Sequence, residues 1–222
     1  MVNAVGNSAD GVVARGRALV KTFQRGSETV HALRGADIEV RAGEMLGVSG
    51  ASGSGKSTML AVLCGWEEPD AGDVGHLHGV AADLTWSSLA LVPQTLGLLQ
   101  DLTVRENIEL PGRLARPRRN ENGRADELME LFGLSHLADR DTSAISVGEQ
   151  QRTALARGLF LRPALMLADE PTAHQDAGFA RRVLAAIRTH AEAGGAFVIV
   201  SHDQLALDAC DRVLTMRDGT LG

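Results

Sequence analysis

Gly50-Ala51-Ser52-Gly53-Ser54-Gly55-Lys56-Ser57 has the spacing of a phosphate-binding loop: a glycine, four free positions, then Gly-Lys-Ser. Such a loop wraps backbone N–H groups around phosphate oxygens, brings an ammonium to the β and γ phosphates, and offers a hydroxyl to magnesium. Lysine occurs only at 21 and 56, so Lys56 carries the one cation of the loop. Further on, the apolar run Leu165-Met166-Leu167-Ala168 ends in two adjacent carboxylates, Asp169 and Glu170, before Pro171. Neighbours on a strand point to opposite sides, so the two acids are expected to hold different roles. Between these segments lies Ser146-Val147-Gly148-Glu149, a Ser-x-x-Glu capping box. The helix it starts would present a second positive, anion-binding end.

These groups need a scaffold that delivers loops to one edge. Met45 to Val48, Ala164 to Ala168 and Ala196 to Val200 are short aliphatic runs without alternation, the pattern of buried parallel strands. Helical stretches separate them, which predicts an α/β sheet with crossover connections. Before them, Val12 to Phe23 and Thr29 to Val40 read as antiparallel strands joined around Arg25-Gly26-Ser27, an N-terminal β subdomain. From about Leu96 to Arg162 the pattern is helical. Thr103 with Glu106 and Ser146 with Glu149 mark helix starts, a third helix covers 124–132 and stops at Gly133, and the Ser146 helix runs to about Leu161. The expected fold is therefore one α/β phosphate-loop domain with a mainly parallel core sheet, an antiparallel β subdomain and an inserted α-helical subdomain.

At 222 residues, with 44% hydrophobic and 23% charged residues, the composition is that of an ordinary globular chain. The longest apolar runs, such as Met59 to Cys64, fall far short of the roughly 20 residues that cross a bilayer. Met1 to Gly11 reads as a loose tail rather than a signal peptide, which places the chain in the cytosol as an expectation. A net charge of -6 argues against a general nucleic-acid binder. Arg113, Arg116, Arg118, Arg119 and Arg124 form one basic cluster, read as a solvated loop or as a contact with lipid head groups or a membrane partner. Cys64 and Cys210 lack CxxC partners and read as core residues.

The phosphate loop, the Ser146 segment and the acidic strand end, in this order, resemble the ATP-binding-cassette (ABC) ATPases. Their signature between the two other motifs is Leu-Ser-Gly-Gly-Gln/Glu, and the resemblance covers nearly the whole chain. It implies that ATP and Mg2+ are bound by Gly50, Ala51, Ser52, Gly53, Ser54, Gly55, Lys56, Ser57 and Thr58. Ser57, Gln94 and Asp169 would serve the metal, with Glu170 as general base to the attacking water. His202 resembles the switch histidine that touches the γ phosphate and completes a catalytic set with Glu170 and Lys56. Phe23 stands where an aromatic residue stacks on adenine.

In that family Ser146, Gly148 and Glu149 would contact the γ phosphate held by the opposite subunit. Asp176, in Ala173-His174-Gln175-Asp176, resembles the loop that crosses between subunits, although His174 and Gln175 are not the commonest residues there. The chain departs from the pattern at Val147, where glycine is common. A β-branched residue resists positive φ and adds bulk beside the phosphate, which bears on local geometry and turnover.

The resemblance implies two copies head to tail with shared sites, placed on the inner face of the membrane beside integral-membrane permease subunits. Leu19-Val20-Lys21-Thr22-Phe23 and Val30-His31-Ala32-Leu33-Arg34-Gly35 look most like the macrolide-export and lipoprotein-release branch. Two other readings stand beside it: a nucleotide-binding regulator with little hydrolysis, and a soluble ABC ATPase acting on DNA or ribosomes. Against the latter, only about 90 residues separate Lys56 from Ser146, and one cassette is present.

Overall fold

The computed structural model describes residues 11–76, 88–115 and 121–222. Its centre is formed by the apolar runs: β3 (Met45–Ser49), β6 (Leu165–Asp169) and β7 (Ala196–Val200) lie side by side and parallel. Their sheet has the order β5-β6-β7-β3-β8-β9, with β5 at Leu89–Val92, β8 at Arg212–Arg217 and β9 at Thr220–Leu221. All pairs are parallel except β8 with β9. A second sheet is antiparallel and pairs β1 (Val12–Arg25) with β2 (Glu28–Arg41) and with β4 (Ala71–His76). β1 and β2 turn over at Gly26, where φ is 62°. The sequence reading named neither β4 nor β5, β8 and β9 as strands. Ala-Gly-Asp-Val-Gly-His carries two glycines and little apolar signal, and β8 is only half covered, so neither shows a buried-strand run.

Alternation along the central strands divides the core in two. Met45, Met166, Ala168, Phe197 and Ile199 face one cluster, whereas Leu46, Val48, Leu165, Leu167, Val198 and Val200 face the other. The second cluster contains Met59, Leu60, Val62 and Leu63 of α1 (Lys56–Leu63). The first holds the apolar faces of α2 (Val104–Leu114), α3 (Arg124–Leu131), α4 (Val147–Leu159) and α5 (Ala177–Glu192). A short α6 covers Gln204–Asp208. Three of these helices lie between β5 and β6, where the sequence is helical. The signature helix ends at Leu159 rather than near Leu161, closing in a turn before Pro163.

Both helix starts read from capping boxes are formed. Glu106 N–H donates to Thr103 Oγ1 at 3.2 Å and Glu149 N–H to Ser146 Oγ at 3.3 Å, each with the reciprocal carboxylate contact. Of the basic cluster, Arg113 pairs with Glu109 at 2.8 Å and Arg124 with Glu127 at 3.1 Å. Arg116, Arg118 and Arg119 lie outside the described residues, as does all but the last residue of the N-terminal tail. Both cysteines are free thiols, and burial pushes Cys210 up to about 11. No helix among the described residues is long and apolar enough to cross a membrane.

Candidate active site

The loop between β3 and α1 turns back over the sheet edge because all three of its glycines, Gly53 (φ 77°) included, adopt conformations that side chains resist. Gly50 has φ 149° and Gly55 φ 110°. A Cβ on Gly50 would strike the carbonyl of Met216, and one on Gly55 the carbonyl of Ala32. Lys56 begins α1 with its ammonium laid across the loop, donating to the carbonyls of Gly50 and Ala51 at 2.8 Å each. Ser54 is buried beneath.

Asp169 closes β6 on the side of α1 and accepts a hydrogen bond from Ser57 Oγ at 2.6 Å. Burial raises its pKa above the ordinary carboxylate value, the Ser57 bond pulls it back, and the neighbouring Glu170 charge raises it again. Strand alternation would send Glu170 to the opposite face. The structure corrects that expectation: the strand stops at Asp169, and Glu170 takes φ 53°, which turns its carboxylate toward the same edge. There Glu170 Oε2 accepts from Ser201 Oγ at 2.8 Å, while Oε1 lies 2.6 Å from His202 Nδ1 and accepts from His202 N–H at 3.2 Å. The hydrogen bond with Glu170, followed by its charge, raises the His202 pKa above the ordinary imidazole value. The two acids thus share a cleft yet hold different partners.

That cleft, of about 940 Å³, is lined by Phe23, Gly50, Ala51, Ser52, Gly53, Gly55, Lys56, Ser57, Thr58, Gln94, Asp169, Glu170 and His202. Phe23 is half-buried on β1, beside the Lys21 ammonium at 5.4 Å from the ring centre. Gln94 is exposed just after β5, and the loop that follows is tied to α4 by Arg157, which donates to the carbonyls of Leu96 and Gly97 at 2.8 and 2.7 Å. Among the described residues no cluster of three or more His, Cys, Asp or Glu could hold a metal by itself. The Ser57 hydroxyl and Asp169 carboxylate fit magnesium instead, a hard cation that takes one or two carboxylates together with phosphate oxygens and water.

Ser146, Gly148, Glu149 and Asp176 do not line this cleft. Ser146 caps α4, and its hydroxyl donates to Glu149 Oε2 at 2.7 Å. Asp176 caps α5 by accepting from Gly178 and Phe179 N–H at 2.8 and 3.0 Å. Val147 is the first helical residue, is not among the residues with positive φ, and is 51% exposed. The concern about positive φ at Val147 is therefore corrected: the position has a backbone that a β-branched residue accepts. The glycine that matters sterically is Gly148, where a Cβ would lie 2.8 Å from the carbonyl oxygen of His174.

Sequence reasoning missed Ser201, Gln151 and Arg157. Ser201 sits directly before His202 at a strand end, a signal that was available. Gln151, which donates to the Glu170 carbonyl at 3.0 Å, had no such signal, because its partner is distant in the chain.

Comparison with known proteins agrees with this geometry. Residues 33–173 match the protein-family model described as ABC transporter. The chain is 38% identical over 231 residues to the lipoprotein-releasing system ATP-binding protein LolD of Gluconobacter oxydans strain 621H, with 99% of each chain covered. It is 35% identical over 214 residues to the uncharacterized ABC transporter ATP-binding protein YvcR of Bacillus subtilis strain 168, covering 90% of this chain and 82% of that one. Among solved structures, the post-hydrolysis dimer of the ATP-binding cassette MJ0796 bound to ADP and Pi matches with a TM-score of 0.87 at 29% identity, covering 94% and 96% of the two chains. A second dimeric structure of that cassette matches with a TM-score of 0.85 at 28% identity, with the same coverage. The chain belongs to the ABC transporter family and is an ATP-binding, ATP-hydrolysing member of it.

Proposed function

We propose that this protein is the cytoplasmic ATP-driven motor of a membrane complex of the LolD type, a single ABC ATPase domain that works as a head-to-tail dimer beneath separate permease subunits. The observation that carries this reading is the convergence on one cleft of the phosphate loop, the Ser57–Asp169 pair and the Glu170–His202 pair. On ATP entry Lys56 exchanges the carbonyls of Gly50 and Ala51 for phosphate oxygens. Ser57 and Asp169, with Gln94 nearby, would hold Mg2+, which would supply positive charge against the phosphates. Burial disfavours the Asp169 charge, and a bound cation would offset that cost. Glu170, fixed by Ser201 and His202, takes a proton from the attacking water, and Phe23 stacks on the base.

The dimer is supported by the dimeric relatives and by the position of Ser146, Gly148 and Glu149 outside their own chain's cleft. Each copy would then cap its partner's γ phosphate with the first turn of α4. A permease partner is supported by an apolar groove of about 660 Å³ near the loop after Gln94. Trp66 and Leu99 on its walls are 67% and 49% exposed, and Leu96 and Ala154 also line it. Lipoprotein release is the work named for the LolD relative, and a permease with four membrane helices and a large external domain is the partner we assign. The reading of a regulator with little hydrolysis rested on Val147, where the helical backbone answers the concern about φ while the exposed side chain keeps its bulk at the start of α4.

The test is ATP turnover by the purified chain, alone and reconstituted in lipid with candidate permease subunits, for wild type and Trp66→Glu. Stimulation by one permease, lost in Trp66→Glu with basal turnover retained, supports the motor reading. Turnover that responds to none of them, in a chain that hydrolyses ATP, would overturn it.

A further inference from the structure

Two side-chain amides cross between the start of α4 and the segment that follows the catalytic carboxylate, and they run in opposite directions. Gln175 Nε2 donates to the carbonyl of Gly148 at 2.7 Å, and Gln151 Nε2 donates to the carbonyl of Glu170 at 3.0 Å. Each bond joins a residue of one segment to the backbone of the other. The Gly148 carbonyl lies in the first helical turn, and a carbonyl has two lone pairs, so it can serve the helix and Gln175 together. The approach is close enough that only glycine fits. A Cβ at 148 would meet the His174 carbonyl oxygen at 2.8 Å and Gln175 Nε2 at 3.2 Å.

The segment between the two anchors is unusually constrained. Glu170 and His174 both hold left-handed backbone conformations, φ 53° and 60°, that non-glycine residues adopt only when their surroundings impose them. Farther along, the Arg152 guanidinium stacks on the Phe179 ring with its carbon 4.0 Å from the ring centre, and Arg152 is 6% exposed. Residues 148–152 and 170–179 therefore form one block held at three points. One end of the block carries the Glu170 carboxylate into this chain's own nucleotide cleft. The other end is the first turn of α4, directed away from it.

We propose that Gln175 is a positioning residue: through the Gly148 carbonyl it sets the height of the first turn of α4, and so ties the state of this chain's cleft to the grip that the turn places on the partner's nucleotide. This rests on the composite-site dimer of the proposed function. A displacement of the Glu170 backbone, such as cleavage and release of the γ phosphate would produce, is delivered to α4 by Gln151 and Gln175 instead of being absorbed by a slack loop. The donor of Gln175 is what the device requires. Glutamate at 175 keeps the size and removes the donor, and leucine keeps most of the volume without any polar group.

The test compares wild type, Gln175→Glu and Gln175→Leu. Amide hydrogen exchange across residues 147–152 is followed in the nucleotide-free protein, and ATP turnover is measured as a function of ATP concentration. Both variants should exchange faster in that turn by roughly two- to tenfold, the range expected for one net hydrogen bond. Turnover at saturating ATP should fall by a similar factor, with the KM for ATP within about twofold, since Lys56, Ser57 and Asp169 are untouched. The Hill coefficient should move toward one. Wild-type or slower exchange in either variant, or faster exchange with unchanged turnover and cooperativity, would overturn the proposal. The dimer is checked separately: failure of Glu170→Gln to dimerise with ATP would refute the composite site, while the exchange comparison would still decide whether Gln175 holds the turn.

Discussion

Glu170 and His202 form a pair across the ends of adjacent strands, with Oε1 of the carboxylate 2.6 Å from Nδ1 of the imidazole. The glutamate side chain is largely covered and the imidazole is 81% exposed, so one member is anchored and the other faces the cleft. Ser201 occupies the second carboxylate oxygen at 2.8 Å. A base held on both oxygens keeps one orientation, which general-base catalysis requires for aiming at water.

The pairing has a measurable signature in titration. The His202 pKa is raised, first by its hydrogen bond with Glu170 and then by that group's charge. For a histidine with a raised folded value, the stabilising contribution is fully present below the ordinary imidazole pKa and is lost as pH rises through the folded value. In Glu170→Gln the carboxylate charge is gone, so the His202 resonance should titrate at a lower pH than in wild type, as followed by NMR of the imidazole. The same midpoint in both proteins would show that the pair does not form in solution.

Glu170→Gln should also separate binding from chemistry. Lys56, Ser57 and Asp169 still hold MgATP, so nucleotide binds while hydrolysis falls by a factor of at least about 10², the lower range for loss of a positioned general base. Uncleaved ATP then keeps two copies together. Light scattering should report a dimer with MgATP and a monomer with ADP or no nucleotide. Adding Ser146→Arg should return the ATP-bound protein to a monomer. Full hydrolysis by Glu170→Gln would remove this residue from the mechanism.

Asp169→Asn should exchange activity for stability. The carboxylate is buried and its pKa is raised by desolvation, so at neutral pH its charge is carried against the preference of its site. Asparagine keeps an acceptor for the Ser57 hydroxyl and removes the charge. The nucleotide-free variant should melt higher, by roughly 2–4 °C for each kcal/mol relieved in a domain of this size. Mg2+-dependent turnover should be lost. A lower melting temperature would show that the charge is compensated within the protein.

Glu149 places a carboxylate in the first turn of α4, and the Ser146 hydroxyl bond, foremost, holds it below the usual carboxylate range. Its charge complements the helix end but opposes an approaching phosphate. Glu149→Gln keeps the capping box, which accepts either residue at that position. In a Glu170→Gln background it should lower the protein concentration at which ATP drives dimerisation, by roughly twofold to fivefold, the effect of one charge at a helix terminus. An unchanged or higher midpoint would show that Glu149 does not face the partner's phosphate.

Features written into a few consecutive residues were legible without coordinates. The Gly50 to Ser57 loop, the two capping boxes and the aliphatic runs of β3, β6 and β7 depend on local sterics, hydrogen bonds within one turn and burial of whole strands. Each is encoded where it acts. The strand order β5-β6-β7-β3-β8-β9 is not encoded in that way, and the weak patterns of β4 and β8 become strands only because a neighbour is there to pair with them. The face on which Glu170 works was misjudged because strand alternation ends one residue earlier, where surrounding structure imposes a left-handed backbone. Ser201 on Glu170, Gln151 on the Glu170 carbonyl and Gln175 on Gly148 are separated in sequence by 31, 19 and 27 residues. Sequence alone determined the chemistry available to this chain and most of the elements that carry it. Tertiary structure decided which groups meet, because a hydrogen bond between distant residues depends on how packed helices and strands align, and no local pattern records that alignment.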